Sequence, residues 1–125
     1  MKVLVCGDRN WTDRRVIDRQ LRKLQPPLTI IHGAARGADT LAGEVAHHYN
    51  MEVCVYPAEW GRYGKGAGPI RNKQMLDEGK PDLVLAFHDN IQESRGTKDM
   101  VKQAAKRGIE TLVINHKRKE VSTPS

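Results

Sequence analysis

The sequence predicts a single Rossmann-like α/β domain: a doubly wound sheet of five parallel strands with helices on both faces. Three observations predict it. Short apolar runs recur at 2–6, 28–32, 52–56, 82–87 and 110–114. The segments between most of them carry apolar residues at helical spacing, and most of the runs end in a polar or glycine-containing turn. With right-handed crossovers these turns all fall at the carboxyl ends of the strands, on one rim, where doubly wound sheets bind their ligands. A chain of 125 residues suffices for one ordinary core, and the domain is expected over 1–114.

Lys2-Val3-Leu4-Val5-Cys6 is apolar almost throughout and ends at Gly7, the pattern of a strand buried on both faces. The polar turn Asp8-Arg9-Asn10-Trp11 follows. Thr12 or Asp13 then caps a helix whose Ile17, Leu21 and Leu24 share one face until Pro26-Pro27 stops it. The second strand, 28–32, leaves through His32-Gly33-Ala34-Ala35-Arg36-Gly37-Ala38-Asp39 into a helix with Ala38, Leu41, Ala42, Val45 and Tyr49 on one stripe. Glu52-Val53-Cys54-Val55-Tyr56 is the third strand, closed by Pro57. A glycine-rich connection over 58–67 contains Trp60 and Tyr63, and Gly68-Pro69 opens a short helix that Gly79 and Pro81 end. Asp82 to Phe87 forms the fourth strand. Ser94-Arg95-Gly96 leads to Thr97 as N-cap of a helix carrying Met100, Val101, Ala104 and Ala105, and Glu110 to Ile114 is the fifth strand. Residues 115–125 turn basic and then Ser, Thr and Pro, which reads as a frayed, flexible tail.

The run from His32 to Asp39 has the chemistry of an anion cradle. Glycines 33 and 37 let backbone approach a ligand closely, and the first N–H groups of the following helix carry partial positive charge, so phosphate is the natural guest. The spacing is neither the three-glycine dinucleotide fingerprint nor the triphosphate loop with its lysine. A tight packing turn is the plain alternative.

Composition narrows the function classes. The net charge of +6 suggests anionic partners, although Lys117, Arg118 and Lys119 against Glu120 supply +2 of it locally. No apolar run approaches the roughly 20 residues of a membrane helix, and the first residues do not form a secretory leader, so a cytoplasmic protein without a membrane partner is expected. Cys6 and Cys54 both lie in strands that read as buried, which predicts inert reduced thiols. The histidines show no metal-ligand spacing, so no metal and no cofactor is expected.

Five stretches together carry a resemblance: GDRNWTD at 7–13, HGAARGADTLAGEVA at 32–46, YPAEW at 56–60, GPIRNKQM at 68–75 and SRGTKDMV at 94–101. The chain resembles a YspA-like member of the SLOG superfamily, the Rossmann-like group that includes the LOG phosphoribohydrolases and the DprA DNA-processing proteins. The resemblance spans about residues 2 to 114 and implies binding of a nucleotide or nucleotide-derived ligand. In LOG-type hydrolases an arginine–lysine pair on one helix works with a glutamate three residues after a glycine–threonine. Arg71 matches that arginine and Gly96-Thr97 match the turn, but the glutamate position holds Met100, and Asp99 lies one residue off.

The candidate ligand-binding residues are therefore Gly7, Arg9, His32, Gly33, Arg36, Gly37, Asp39, Arg71, Asn72, Gly96 and Thr97, with phosphate on the glycine turns and charge from Arg9, Arg36 and Arg71. For each, a structural role is the alternative: Asp39 caps its helix, His32 is a hydrogen-bonded strand-end residue, and Trp60 either stacks a base or anchors its loop in the core. A phosphoribohydrolase or N-glycosidase would use Arg71 with Asp99 or Asp39 as the carboxylate, so the sequence leaves open whether the chain is an enzyme. DprA-like binding of single-stranded nucleic acid is a further alternative, weakened by having only Trp11, Trp60 and Tyr63 as loop aromatics. The oligomeric state is open, a homo-oligomer included.

Overall fold

The computed structural model describes residues 1–116 and 121–122. Its elements are β1 (Lys2–Gly7), α1 (Arg14–Arg22), β2 (Thr29–His32), α2 (Ala38–His48), β3 (Glu52–Val55), α3 (Trp60–Tyr63), a 3-10 turn (Gly64–Gly66), α4 (Ala67–Gly79), β4 (Leu83–Phe87), a second 3-10 turn (Ile91–Glu93), α5 (Arg95–Lys106), β5 (Glu110–Ile114) and β6 (Val121–Ser122). The sheet order is β3-β2-β1-β4-β5-β6. The pairs among β1 to β5 are parallel, and β6 adds an antiparallel edge to β5. The chain winds outward from β1 through β2 to β3 and then crosses back to β4, so the strand order reverses between β1 and β4. That is the crevice such sheets offer a ligand.

Alternation along the strands builds two cores. Val3 and Val5 of β1 and Ile30 of β2 point to one face, where they meet Ile17 and Leu21 of α1 and Ala38, Ala42 and Val45 of α2. Leu4, Cys6 and Ile31 point to the other, against Met75 and Leu76 of α4 and Met100 and Ala104 of α5. Val3, Leu4 and Val5 are wholly buried, as the continuous apolar run requires of a central strand, and each such side chain contributes roughly 1.5–3 kcal/mol.

The structure corrects several expectations. Cys54 is exposed, because among the described residues β3 has a neighbour only in β2 and stands at the edge of the sheet; all four of its residues are exposed. The connection over 58–67 is not a plain loop but holds α3 and the first 3-10 turn. Trp60 is 55% exposed and is no core anchor, whereas Trp11 is buried at 4%, meeting Phe87 edge-to-face and stacking on His116. The N-cap of α5 is Ser94, whose Oγ accepts from the Thr97 N–H; Thr97 itself sits buried within the first turn. Asp13 caps α1, accepting from the Arg15 N–H. Of the expected tail, His116 is docked between Trp11 and Asp89, and Val121–Ser122 pair with β5; 117–120 and 123–125 lie outside the described residues. Among the described residues no helix is long and apolar enough to cross a membrane.

Candidate functional site

At the carboxyl end of β2 the cradle turns inward on itself. Asp39, in the first turn of α2 and only 4% exposed, accepts from the Gly33 N–H at 2.8 Å and the Ala35 N–H at 3.4 Å, both through Oδ2. The Ala34 N–H donates to His32 Nδ1 at 3.0 Å. The amides expected to face a phosphate are thus engaged by the protein's own side chains, and the first half of the cradle is closed to an anion. The second half is packed on β1's turn. The Ala38 N–H donates to the Asp8 carbonyl, and Gly37, the N-cap of α2 with φ +76°, lies so close to Asp8 and Arg9 that a Cβ would overlap their backbone. Gly7 meets the Phe87 backbone equally closely across the β1–β4 crevice.

Burial raises the Asp39 carboxyl to about 6, against the pull of the Gly33 N–H and the positive charge of Arg71. Burial and Arg71 together push the His32 imidazole below its ordinary range. Because Nδ1 accepts from Ala34, the neutral ring carries its proton on Nε2. That edge rests against Gly43, where a Cβ would stand 2.9 Å away. His32 therefore belongs to the α2 side, lining a cleft of about 630 Å³ with Arg14, Gly43, Glu44, His47 and His48. None of these partners stood out in sequence, because their only signals are a shared α2 face and, for Arg14, the start of α1 beside it.

Arg71 is the centre of a second arrangement. It sits in the second turn of α4 and is half-buried. Nη1 donates to the Gly33 carbonyl at 2.6 Å and the Tyr56 carbonyl at 3.5 Å, and Nε donates to Asn72 Oδ1 at 3.1 Å. Gly33 has no side chain for the reason that Arg71 occupies its place. Buried Asn72 extends the chain of bonds, its Nδ2 donating to Asp99 Oδ2 at 2.9 Å and to the Gly96 carbonyl at 3.3 Å. Gln103 donates to the same Asp99 oxygen. A single hydrogen-bonded path thus runs from Asp39 through Gly33, Arg71 and Asn72 to Asp99 and Gly96, joining three of the sequence motifs.

Asp99 lies beyond the first turn of α5 and serves as the tie between α4 and α5, not as a charge at the helix start. Met100 is wholly buried among Leu4, Cys6 and Ile31. Arg71 has no carboxylate in ion-pair contact, and the exposed side chains of Arg9 and Arg36 form no hydrogen bond or ion pair among the described residues. Among those residues, no group of three His, Cys, Asp or Glu side chains is placed to hold a metal ion.

Residues 1–63 match the model of the "YspA, cpYpsA-related SLOG family". The chain is 33% identical over 125 residues to the Gene 61 protein of Mycobacterium phage D29, covering 93% of this chain and 98% of that one. Among solved structures it resembles DNA processing protein A (DprA) from Streptococcus pneumoniae, with a TM-score of 0.70 and 21% identity over 90% of this chain and 50% of that one. UDP-GlcNAc 2-epimerase from Neisseria meningitidis, in a structure bound to UDP-GlcNAc, gives a TM-score of 0.54 and 19% identity over 91% of this chain and 32% of that one. The chain thus spans half of DprA and about a third of the epimerase, and these two likenesses are of fold.

Proposed function

Because the chain belongs to the YspA, cpYpsA-related SLOG family, we propose that its strand C-terminal rim binds a nucleotide or nucleotide-derived ligand without breaking its N-glycosidic bond. The observation that carries this reading is Arg71. A guanidinium that is half-buried, oriented by two backbone carbonyls and, among the described residues, without a carboxylate in contact is a charge prepared for an anion from outside. Its Nη2 makes no bond among the described residues. Arg36 and Arg9 add two cations from the neighbouring turns that are uncommitted among the described residues, and the open space beside Gly96 adds unhindered approach from α5. The likeness to a DNA-processing protein and to an enzyme holding a nucleotide sugar supports a ligand of nucleotide chemistry.

Binding without hydrolysis rests on the carboxylates. Bond cleavage at the anomeric carbon needs a carboxylate free to stabilise the cationic centre or activate water. Met100 is sunk in the core, Oδ2 of Asp99 holds two side-chain amides, and Oδ2 of Asp39 holds the β2 turn.

Isothermal titration calorimetry with adenosine 5′-monophosphate tests the reading. Arg71→Ala and the exposed Arg36→Ala are each expected to weaken binding by roughly 1.5–3 kcal/mol, the range of a hydrogen bond to a charged group. Arg36→Ala should leave the melting temperature unchanged. A wild type that binds no phosphate-bearing nucleotide overturns the proposal. Chromatography after long incubation should show no free base; base release abolished by Asp99→Asn would make the chain a hydrolase.

A further inference from the structure

Resting on the ligand-binding reading above, we propose that the indole of Trp60 is the platform on which the ligand's heteroaromatic base stacks. The chain has two tryptophans, and they are used in opposite ways. Trp11 is buried, its Nε1 donates to the Asp13 carbonyl at 2.9 Å, and its ring stacks on His116 and meets Phe87 in an edge contact. Trp60 is 55% exposed, and among the described residues its indole has no ring partner, no cation over its face and no hydrogen bond. Tyr63, one turn on, is already covered by the Arg62 guanidinium 5.1 Å from its ring centre, which leaves Trp60 as the uncovered aromatic face of this segment.

Its position relative to Arg71 gives the exposed ring a purpose. The edge of the indole, at Cη2, lies 3.4 Å from where a Cβ on Gly68 would stand, so Trp60 rests on the first turn of α4. Arg71 follows Gly68 by three residues and shares its helix face, one turn or about 5 Å further along. The sugar of a nucleotide bridges a step of that size, with the phosphate on Arg71 and the base over the indole. Stacking on an aromatic face suits any base and excludes none, so the platform fits either a free nucleotide or a base splayed from a single strand.

Tryptophan fluorescence and calorimetry on the full chain decide it, using the wild type, Trp60→Ala and Trp60→Phe, with folding checked by circular dichroism. The probes are adenosine 5′-monophosphate, ribose 5-phosphate and a single-stranded oligoadenylate. The expected result is quenching of wild-type emission by the monophosphate, a loss of affinity of roughly 5- to 150-fold in Trp60→Ala, and recovery of most of it in Trp60→Phe. Ribose 5-phosphate, which has no base, should bind all three alike. Monophosphate affinity retained in Trp60→Ala overturns the stacking role alone. Oligoadenylate binding that Trp60→Ala abolishes, with no monophosphate binding, keeps the platform and overturns the small-molecule reading. Failure of all three probes to bind wild type overturns both.

Discussion

The turn that leaves β2 and the turn that opens α5 resemble each other in sequence, each a short segment with an arginine–glycine pair, Arg36-Gly37 and Arg95-Gly96, that enters a helix. Their construction is opposite. In the first, Gly33 leaves the space that Arg71 fills, Gly37 is held at φ +76° against Asp8, and Asp39 satisfies the loop's own amides. In the second, Ser94 caps the helix with one hydroxyl, and a Cβ on Gly96 would meet nothing within 4 Å. The first turn is a structural joint that positions an arginine. The second leaves open space beside Gly96.

Substitutions can break this comparison, and the largest effect should come from Gly37→Ala. The added Cβ meets backbone that cannot rotate away, at a φ that L-residues rarely adopt, so a loss of roughly 3 kcal/mol or more is expected in urea unfolding. A loss below 1 kcal/mol would show that the joint yields. Next in size is Asp39→Ala, which strands the Gly33 and Ala35 amides and should cost roughly 1.5–3 kcal/mol. Asp99→Ala, at a half-buried tie between two helices, should cost less than half as much.

The same joint should leave a signature in the pH dependence of stability. Asp39 titrates higher in the folded chain than in the unfolded one, so its contribution is full below the unfolded value of 3.8 and is lost as pH rises through about 6, a swing of roughly 3 kcal/mol. His32 is held below 6.5, so its contribution is full above that value and is lost as pH falls. The two oppose each other on acidification from pH 7. Asp39→Asn keeps an acceptor for Gly33 and removes one of the pair, so its melting temperature should fall more steeply than wild type between pH 7 and 5. Parallel curves would refute the coupling.

The smallest effect sharpens the contrast from the other side. Gly96→Ala should leave stability unchanged or raise it by up to about 1 kcal/mol, because the site is an exposed helical position with open space around it. If α5 receives the ligand, the same methyl should weaken nucleotide binding in calorimetry. A stability loss above 1 kcal/mol would place Gly96 with the packed glycines.

Periodicity and punctuation were enough for the parallel sheet, for the burial of β1 on both faces and for the convergence of the motifs on one rim, because those features depend on local alternation and on rules of connection. They were not enough for β3, since an apolar run of four or five residues looks the same in a central strand and at an open edge. Arg71 and Asn72 stood out as candidates from the motif around them. Their partners were not: Gly33 is 38 residues from Arg71, and Asp99 is 27 from Asn72.

What the sequence by itself determined was the five parallel strands, four of the helices between them and the chemistry gathered at their ends, since each is encoded within a few residues. Only the tertiary structure decided which of those groups are spent inside the protein. Asp39 and the Gly33 amide satisfy each other across one turn, Met100 fills the core, and among the described residues the Trp60 indole is left uncovered on α3. Whether a polar group or an aromatic ring is satisfied depends on neighbours that the fold brings from far along the chain, and that is settled by packing.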